Sequence, residues 1–138
     1  MASLTLTADT SVIVPSLISW HPLHRLAASH LANVQRLPAH ALAESFSVLT
    51  RLPAPLAIRP EQARRLLAHS FPDDPITLSA AGYRETIRRL AEADIGGGRT
   101  YDAVVAATAV EAGTCLVTAD RRALATYALI GAEYQLLQ

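Results

Sequence analysis

The sequence predicts an α/β domain with one parallel central sheet of about four to five strands and helices covering both faces. Three observations carry this expectation. Short β-prone apolar runs alternate with segments of helical periodicity, and no hairpin signal joins two of the runs, which is the pattern of parallel strands linked by crossover helices. The 138 residues are 51% hydrophobic but only 5% aromatic, a composition that fits a compact, alanine-rich domain rather than a disordered chain. No linker, low-complexity stretch or shift in composition divides the chain, so residues 1–138 are read as one domain with its own core.

The elements follow in order. Leu4–Ala8 reads as a first buried strand ending at Asp9-Thr10-Ser11, which turn the chain and cap a helix over Val12–Ile18. Pro15 is tolerable early in that helix. Trp20-His21-Pro22 breaks the pattern, and a second helix from about Pro22 to Asn33 turns Leu23, Leu26, Ala27 and Leu31 inward. Trp20 is read as core, with an exposed interface anchor as the lesser alternative. Val34–Leu37 is a short second strand. Pro38 starts a helix whose stripe is Leu42, Phe46 and Leu49, with Glu44 off that stripe, and Pro53-Ala54-Pro55 ends it.

Pro60-Glu61 opens the next helix, to about Ser70, with an acid where the macrodipole favours one. A turn at Phe71–Pro75 leads to a short strand at Ile76–Leu78. Ser79 caps a helix to about Asp94 whose face of Arg84, Glu85, Arg88, Arg89 and Glu92 reads as solvated ion pairs. Ile95-Gly96-Gly97-Gly98 is a flexible loop into a helix over Thr100–Ala112, followed by a turn at Gly113 and a strand over Cys115–Thr118. After Asp120 a helix runs to about Ala128, and Ala132–Leu136 is a last edge strand.

The stretch Arg99–Asp120 holds the chemistry. Its helix is apolar nearly all round, as a helix inside a domain is. Yet Asp102 stands in its first turn, and an ionised carboxylate is rarely buried without a partner. The chain has no lysine, and no arginine follows Asp102 at helical spacing, so a bound cation is the most economical partner. Leu6-Thr7-Ala8-Asp9 is echoed by Val117-Thr118-Ala119-Asp120. Ligands bind outside the carboxyl ends of parallel strands. Two such strands, each finishing on Asp, would set two carboxylates side by side, with Asp102 close by. Three converging acids repel unless a divalent metal holds them. Taken singly, Asp9 and Asp120 read as turn and cap residues and Asp102 as a helix-dipole partner; the echo together with Asp102 favours a metal site.

Several function classes fall away. Without lysine there is no Walker-type phosphate loop and no Schiff-base chemistry. The one cysteine, Cys115, lies in a core strand, so there is no disulfide framework. No apolar run approaches the roughly 18 residues of a membrane span. The opening MASLTLTAD lacks the basic-then-apolar pattern of a signal peptide, and a cytoplasmic location without membrane attachment is expected. Net charge is zero, yet all 12 cations are arginines, a fork suited to phosphate. His21 and His24 sit at i, i+3 but no cysteine or third histidine has the spacing to complete a zinc site, and His30, His40 and His69 are similarly uninformative.

The ordered set of Asp9-Thr10-Ser11 after an early strand, a Glu on a helix near residue 40, Gly98-Arg99-Thr100-Tyr101-Asp102-Ala103-Val104-Val105-Ala106-Ala107-Thr108-Ala109, and Leu116-Val117-Thr118-Ala119-Asp120 resembles the PIN-domain ribonucleases. Within these the chain looks most like the VapC toxins of bacterial toxin–antitoxin pairs. The resemblance spans the whole chain and implies a PIN-like fold with an acidic quartet of Asp9, Glu44, Asp102 and Asp120. Glu44 rests on the resemblance, since its helix alone gives no reason to prefer it over Glu61 or Glu85.

The implied activity is Mg²⁺- or Mn²⁺-dependent endonucleolytic cleavage of RNA, tRNA or rRNA, leaving a 5′-phosphate. Asp9, Asp102 and Asp120 are the expected metal ligands, and Ser11, Arg99 and Thr118 are expected to steady the water or the scissile phosphate. The resemblance also implies a homodimer and a cognate antitoxin that occludes the site. A housekeeping RNA-processing nuclease of the same fold is the nearest alternative. A Mg²⁺-dependent phosphohydrolase is more remote, because a receiver-type site needs the lysine this chain lacks.

Overall fold

The computed structural model describes residues 4–138. In chain order the elements are β1 (Leu6–Ala8), α1 (Thr10–Leu17), α2 (His24–His30), α3 (Ala39–Thr50), α4 (Pro60–Ser70), α5 (Ala80–Glu92), α6 (Arg99–Glu111), β2 (Cys115–Thr118), a 3₁₀ turn (Arg121–Ala123), α7 (Leu124–Ile130) and β3 (Tyr134–Leu136). The sheet is parallel with order β1-β2-β3. Its central strand β2 is buried along its whole length, as a strand covered on both faces must be. Ile13 and Val12 of α1, Leu49 of α3, and Leu116 and Val117 of β2 are among the largest fully buried side chains.

The sheet has three strands, fewer than the four to five expected. The segments read as strands at Val34–Leu37 and Ile76–Leu78 do run beside each other, but they make a single parallel bridge, Pro38 to Ile76. Ile76 N–H donates to Leu37 C=O at 2.8 Å and Ala39 N–H to Ile76 C=O at 2.8 Å. Ala39 already begins α3 directly after Pro38, so the ladder stops after one rung. Thr7 Oγ1 donates to Arg36 C=O at 3.1 Å, a side-chain tie of this segment to β1.

Other differences have simple causes. The inward face of α3 is Ala41, Ser45 and Leu49 rather than Leu42, Phe46 and Leu49. Small side chains let α3 pack closely, while Leu42 and Phe46 border an apolar hollow shared with Leu67 of α4. Trp20 is 53% exposed and so lies outside the core. Val110 on α6 is exposed, which leaves that helix less completely enclosed than its composition suggests. On α5, Arg88 pairs with both Glu85 and Glu92, but Arg89 turns inward to donate to Ile130 C=O at 3.0 Å. α7 ends at Gly131, whose φ of 88° closes the helix in the left-handed region open to glycine.

Candidate active site

The parallel pairing of β1 with β2 decides where the acids go. Ala8 is in register with Val117, and Asp9 N–H donates to Val117 C=O at 3.2 Å, so the chain leaves both strands at the same end of the sheet. Asp9 and Asp120 emerge there. Each caps the element that follows: Asp9 Oδ1 accepts from Ser11 N–H at 3.0 Å at the start of α1, and Asp120 Oδ1 accepts from Arg122 N–H at 3.0 Å at the 3₁₀ turn. The capping role and the acidic cluster therefore coexist.

Asp102, in the first turn of α6, and Glu44, on α3, face the same place. Asp9, Glu44, Asp102 and Asp120 line one cavity of about 50 Å³, bordered also by Ser11, Tyr101 and Tyr127. Glu61 and Glu85 lie elsewhere, paired with arginines on their own helices, and Glu44 is the one of the three that borders this cavity. Two larger hollows, of about 430 and 490 Å³, do not receive this set of acids. The small polar cavity is the chemically organised one.

The electrostatics agree with the crowding. Burial, with added repulsion from Asp120, Asp9 and Glu44, pushes the Asp102 carboxyl up to about 6, and Arg99 opposes the rise. Arg99 is thus the nearby cation, one turn before Asp102 rather than after it. Its Nε donates to Thr126 Oγ1 at 3.1 Å, which anchors it against α7. Burial also raises the Asp9 carboxyl, against hydrogen bonds from Ser11, Thr118 and Tyr127 that favour its charged form.

Ser11 links the two strand ends: its Oγ donates to Asp9 Oδ1 and accepts from Ala119 N–H at 2.8 Å. Thr118 is fully buried beneath the cavity, and its Oγ1 accepts from Asp120 N–H at 3.1 Å. It therefore holds the Asp120 backbone, and it is not among the side chains that line the cavity. Arg99 likewise lies outside the cavity lining.

Two residues passed unnoticed in sequence. Tyr127, 1% exposed on α7, donates its hydroxyl to Asp9 Oδ2 at 2.6 Å across 118 residues of chain. It reads in sequence as one apolar position of a helix, and nothing local signals the bond. His40 lies one turn before Glu44 on α3, with Nε2 at 3.4 Å from Glu44 Oε2. That nitrogen is buried without a hydrogen-bond partner, because the approach lacks hydrogen-bond geometry. The i, i+4 spacing of His40 and Glu44 was the available signal.

Residues 7–129 match the profile of the PIN domain family. Ribonuclease VapC40 of Mycobacterium tuberculosis is 43% identical over 129 residues, spanning 94% of this chain and 96% of that protein. The chain belongs to the PIN-domain family, among its VapC ribonucleases. The fold of this PIN domain also matches that of the M. tuberculosis VapC20 crystal structure, a toxin described as cleaving the sarcin-ricin loop, with a TM-score of 0.68, 19% identity and 88% and 94% of the two chains covered. A similar match is to VapBC2 from Rickettsia felis bound to a DNA fragment from their promoter, at TM-score 0.69, 16% identity and 98% and 100% coverage.

The donors of this PIN domain's cavity are hard carboxylate oxygens, the kind that suit Mg²⁺ or Mn²⁺. Among the described residues no three acidic, histidine or cysteine side chains stand together as a closed metal-ligand set. Asp9 is turned by its bonds to Ser11 and Tyr127, and Asp120 by its bond to Arg122 N–H. The acids fit such a cation in donor type, and they line one cavity.

Proposed function

We propose that the protein is a metal-dependent endoribonuclease toxin that hydrolyses phosphodiester bonds of tRNA or rRNA and is neutralised by a cognate antitoxin. One observation carries this reading: four carboxylates from four separate segments meet on one cavity, in a chain 43% identical to a VapC ribonuclease. Asp9, Asp102 and Asp120 are the proposed ligands of Mg²⁺, or Mn²⁺ in its place. When bound, the ion supplies charge neutralisation for the phosphodiester and lowers the pKa of water for in-line attack.

The chain's own groups do the rest. Asp102, in the first turn of α6, would hold the ion beside Asp9 and Asp120, close to the attacking water. Glu44, half exposed at the cavity's outer side, is placed to orient that water. Ser11 and Tyr127 hold Asp9 in one rotamer. Thr118 sets the Asp120 backbone, and Arg99 lends positive charge from the start of α6. An antitoxin partner is supported by the fold match to a VapBC complex, and a homodimer in the cytoplasm completes the reading. Among the described residues no helix is long and apolar enough to cross a membrane.

The test is incubation of the purified protein and its Asp102→Asn variant with total tRNA and rRNA, in Mg²⁺, in Mn²⁺ and in chelator. Discrete fragments from the native protein with metal alone are expected, and mapping their ends names the target. Cleavage that survives chelation, or is undiminished in a folded Asp102→Asn variant, would overturn the assignment.

A further inference from the structure

Tyr101 borders the acidic cavity but has no part in the chemistry described so far. It precedes Asp102 in the first turn of α6 and is 55% exposed. The exposure is not looseness. Its ring lies flat on that of His40 from the first turn of α3, with centroids 5.0 Å apart and planes 1° from parallel. On its other side His40 Nε2 is shielded from solvent and lies 3.4 Å from Glu44 Oε2. Two helix starts thus present one backed aromatic plate at the rim of the cavity, and no other aromatic ring among the described residues stacks on it.

A flat, pre-ordered aromatic surface beside a phosphodiester site matches one part of an RNA strand, the face of a base. Single-stranded nucleic acids are held by stacking of bases on aromatic side chains, whereas bases inside a duplex already have both faces covered. We propose that Tyr101, backed by His40, is a stacking platform for the base adjoining the scissile phosphate, so that the enzyme engages its RNA as an unpaired strand. This inference rests on the ribonuclease reading for what lies in the cavity. Tyr101 is a positioning residue that binds substrate; the acids remain the reacting groups.

The test measures binding separately from cleavage. A fluorescein-labelled single-stranded RNA of ten mixed nucleotides, and the same strand annealed to its complement, are titrated with the protein in Ca²⁺ and followed by anisotropy. Tyr101→Phe keeps the plate and is expected to bind the single strand like the native protein. Tyr101→Ala is expected to bind it about tenfold more weakly. Tyr101→Leu, which still covers His40 but offers no π-face, is expected to fall with Tyr101→Ala. Duplex binding should be equal for all four proteins. Moving one abasic site along the strand should erase the difference between the native protein and Tyr101→Ala at one position, a signature that a purely structural role would not produce.

Native-like single-strand binding by Tyr101→Ala, or equal losses on single strand and duplex, would overturn the proposal. The two readings fail separately. A native protein that binds the single strand through Tyr101 but cleaves no RNA with metal sinks the ribonuclease reading alone. One that cleaves RNA, with Tyr101→Ala binding unchanged, sinks the platform alone.

Discussion

Replacing Tyr127 by Phe isolates the bond that supports the most buried acid of the site. Tyr127 Oη donates to Asp9 Oδ2 at 2.6 Å, and the two residues are 1% and 6% exposed. Phe keeps the ring and its packing and removes only the hydroxyl. Hydrogen bonds to charged groups contribute roughly 1.5–3 kcal/mol to stability, and losing a donor from a buried carboxylate incurs at least that. For a domain of this size the loss corresponds to a midpoint lower by about 5–12 °C. The assay is thermal unfolding by circular dichroism in chelator at pH 7.5.

The direction with pH follows from linkage. The Asp9 carboxyl is already raised by burial, with the Tyr127 bond opposing the rise, so the variant's Asp9 rises further and takes up a proton more readily on acidification. The variant's deficit is therefore largest when Asp9 is charged and narrows as pH falls through its raised folded value. Equal midpoints at pH 7.5 would refute the reasoning. A deficit that stays constant into acid would refute it too, by locating the effect in ring packing.

Three further outcomes are expected. Asp102→Asn should lose metal-dependent cleavage yet, in chelator, unfold at a higher temperature than the native protein. A rise from 3.8 to about 6 corresponds to at most about 3 kcal/mol, which partial solvent screening reduces to about 1 kcal/mol. Because Asp102's folded value is raised, this gain should be full above about pH 6 and vanish as pH falls toward 4, read by denaturant midpoints across pH. Ser11→Ala removes the hydroxyl that joins Asp9 to Ala119 N–H and should lower stability by about 1–3 kcal/mol in urea unfolding, with Ser11→Thr recovering most of it. Arg88→Ala, at an exposed pair of ion pairs on α5, should leave the unfolding midpoint unchanged.

Legibility in the sequence followed the range of the interactions. β2 and α4 occupy Cys115–Thr118 and Pro60–Ser70 as read, because local signals bound them: Gly113 and Asp120 around an apolar run, and Pro60 at a first helical position. The sheet was overcounted because the apolar runs around Val34 and Ile76 satisfy strand propensity, while α3 begins at Ala39 and leaves no extended chain to continue the ladder. On α3, large side chains mark Leu42 and Phe46 as the inward stripe, yet close helix packing selects Ala41 and Ser45. Of the aspartates of the cavity, Asp9 and Asp120 were legible as strand ends tied by an echo, and Asp102 as an acid in the first turn of an apolar helix. Tyr127 and the Tyr101–His40 stack were not, because each contact joins elements far apart in the chain.

Asp9 and Asp120 serve the fold as well as the chemistry, since each caps the element that follows it. Asp102 and Glu44 cap nothing; the N-cap positions of α6 and α3 are Gly98 and Pro38, which give no side-chain cap. The four acids would therefore erode unequally in a copy of this gene released from selection for activity. Positions 102 and 44 are free to drift to almost any residue that tolerates a helix. Positions 9 and 120 are confined to the short list of capping residues, with Asn the nearest substitute. An inactive descendant would keep the outline of its lost site at the strand ends long after the helices had forgotten it.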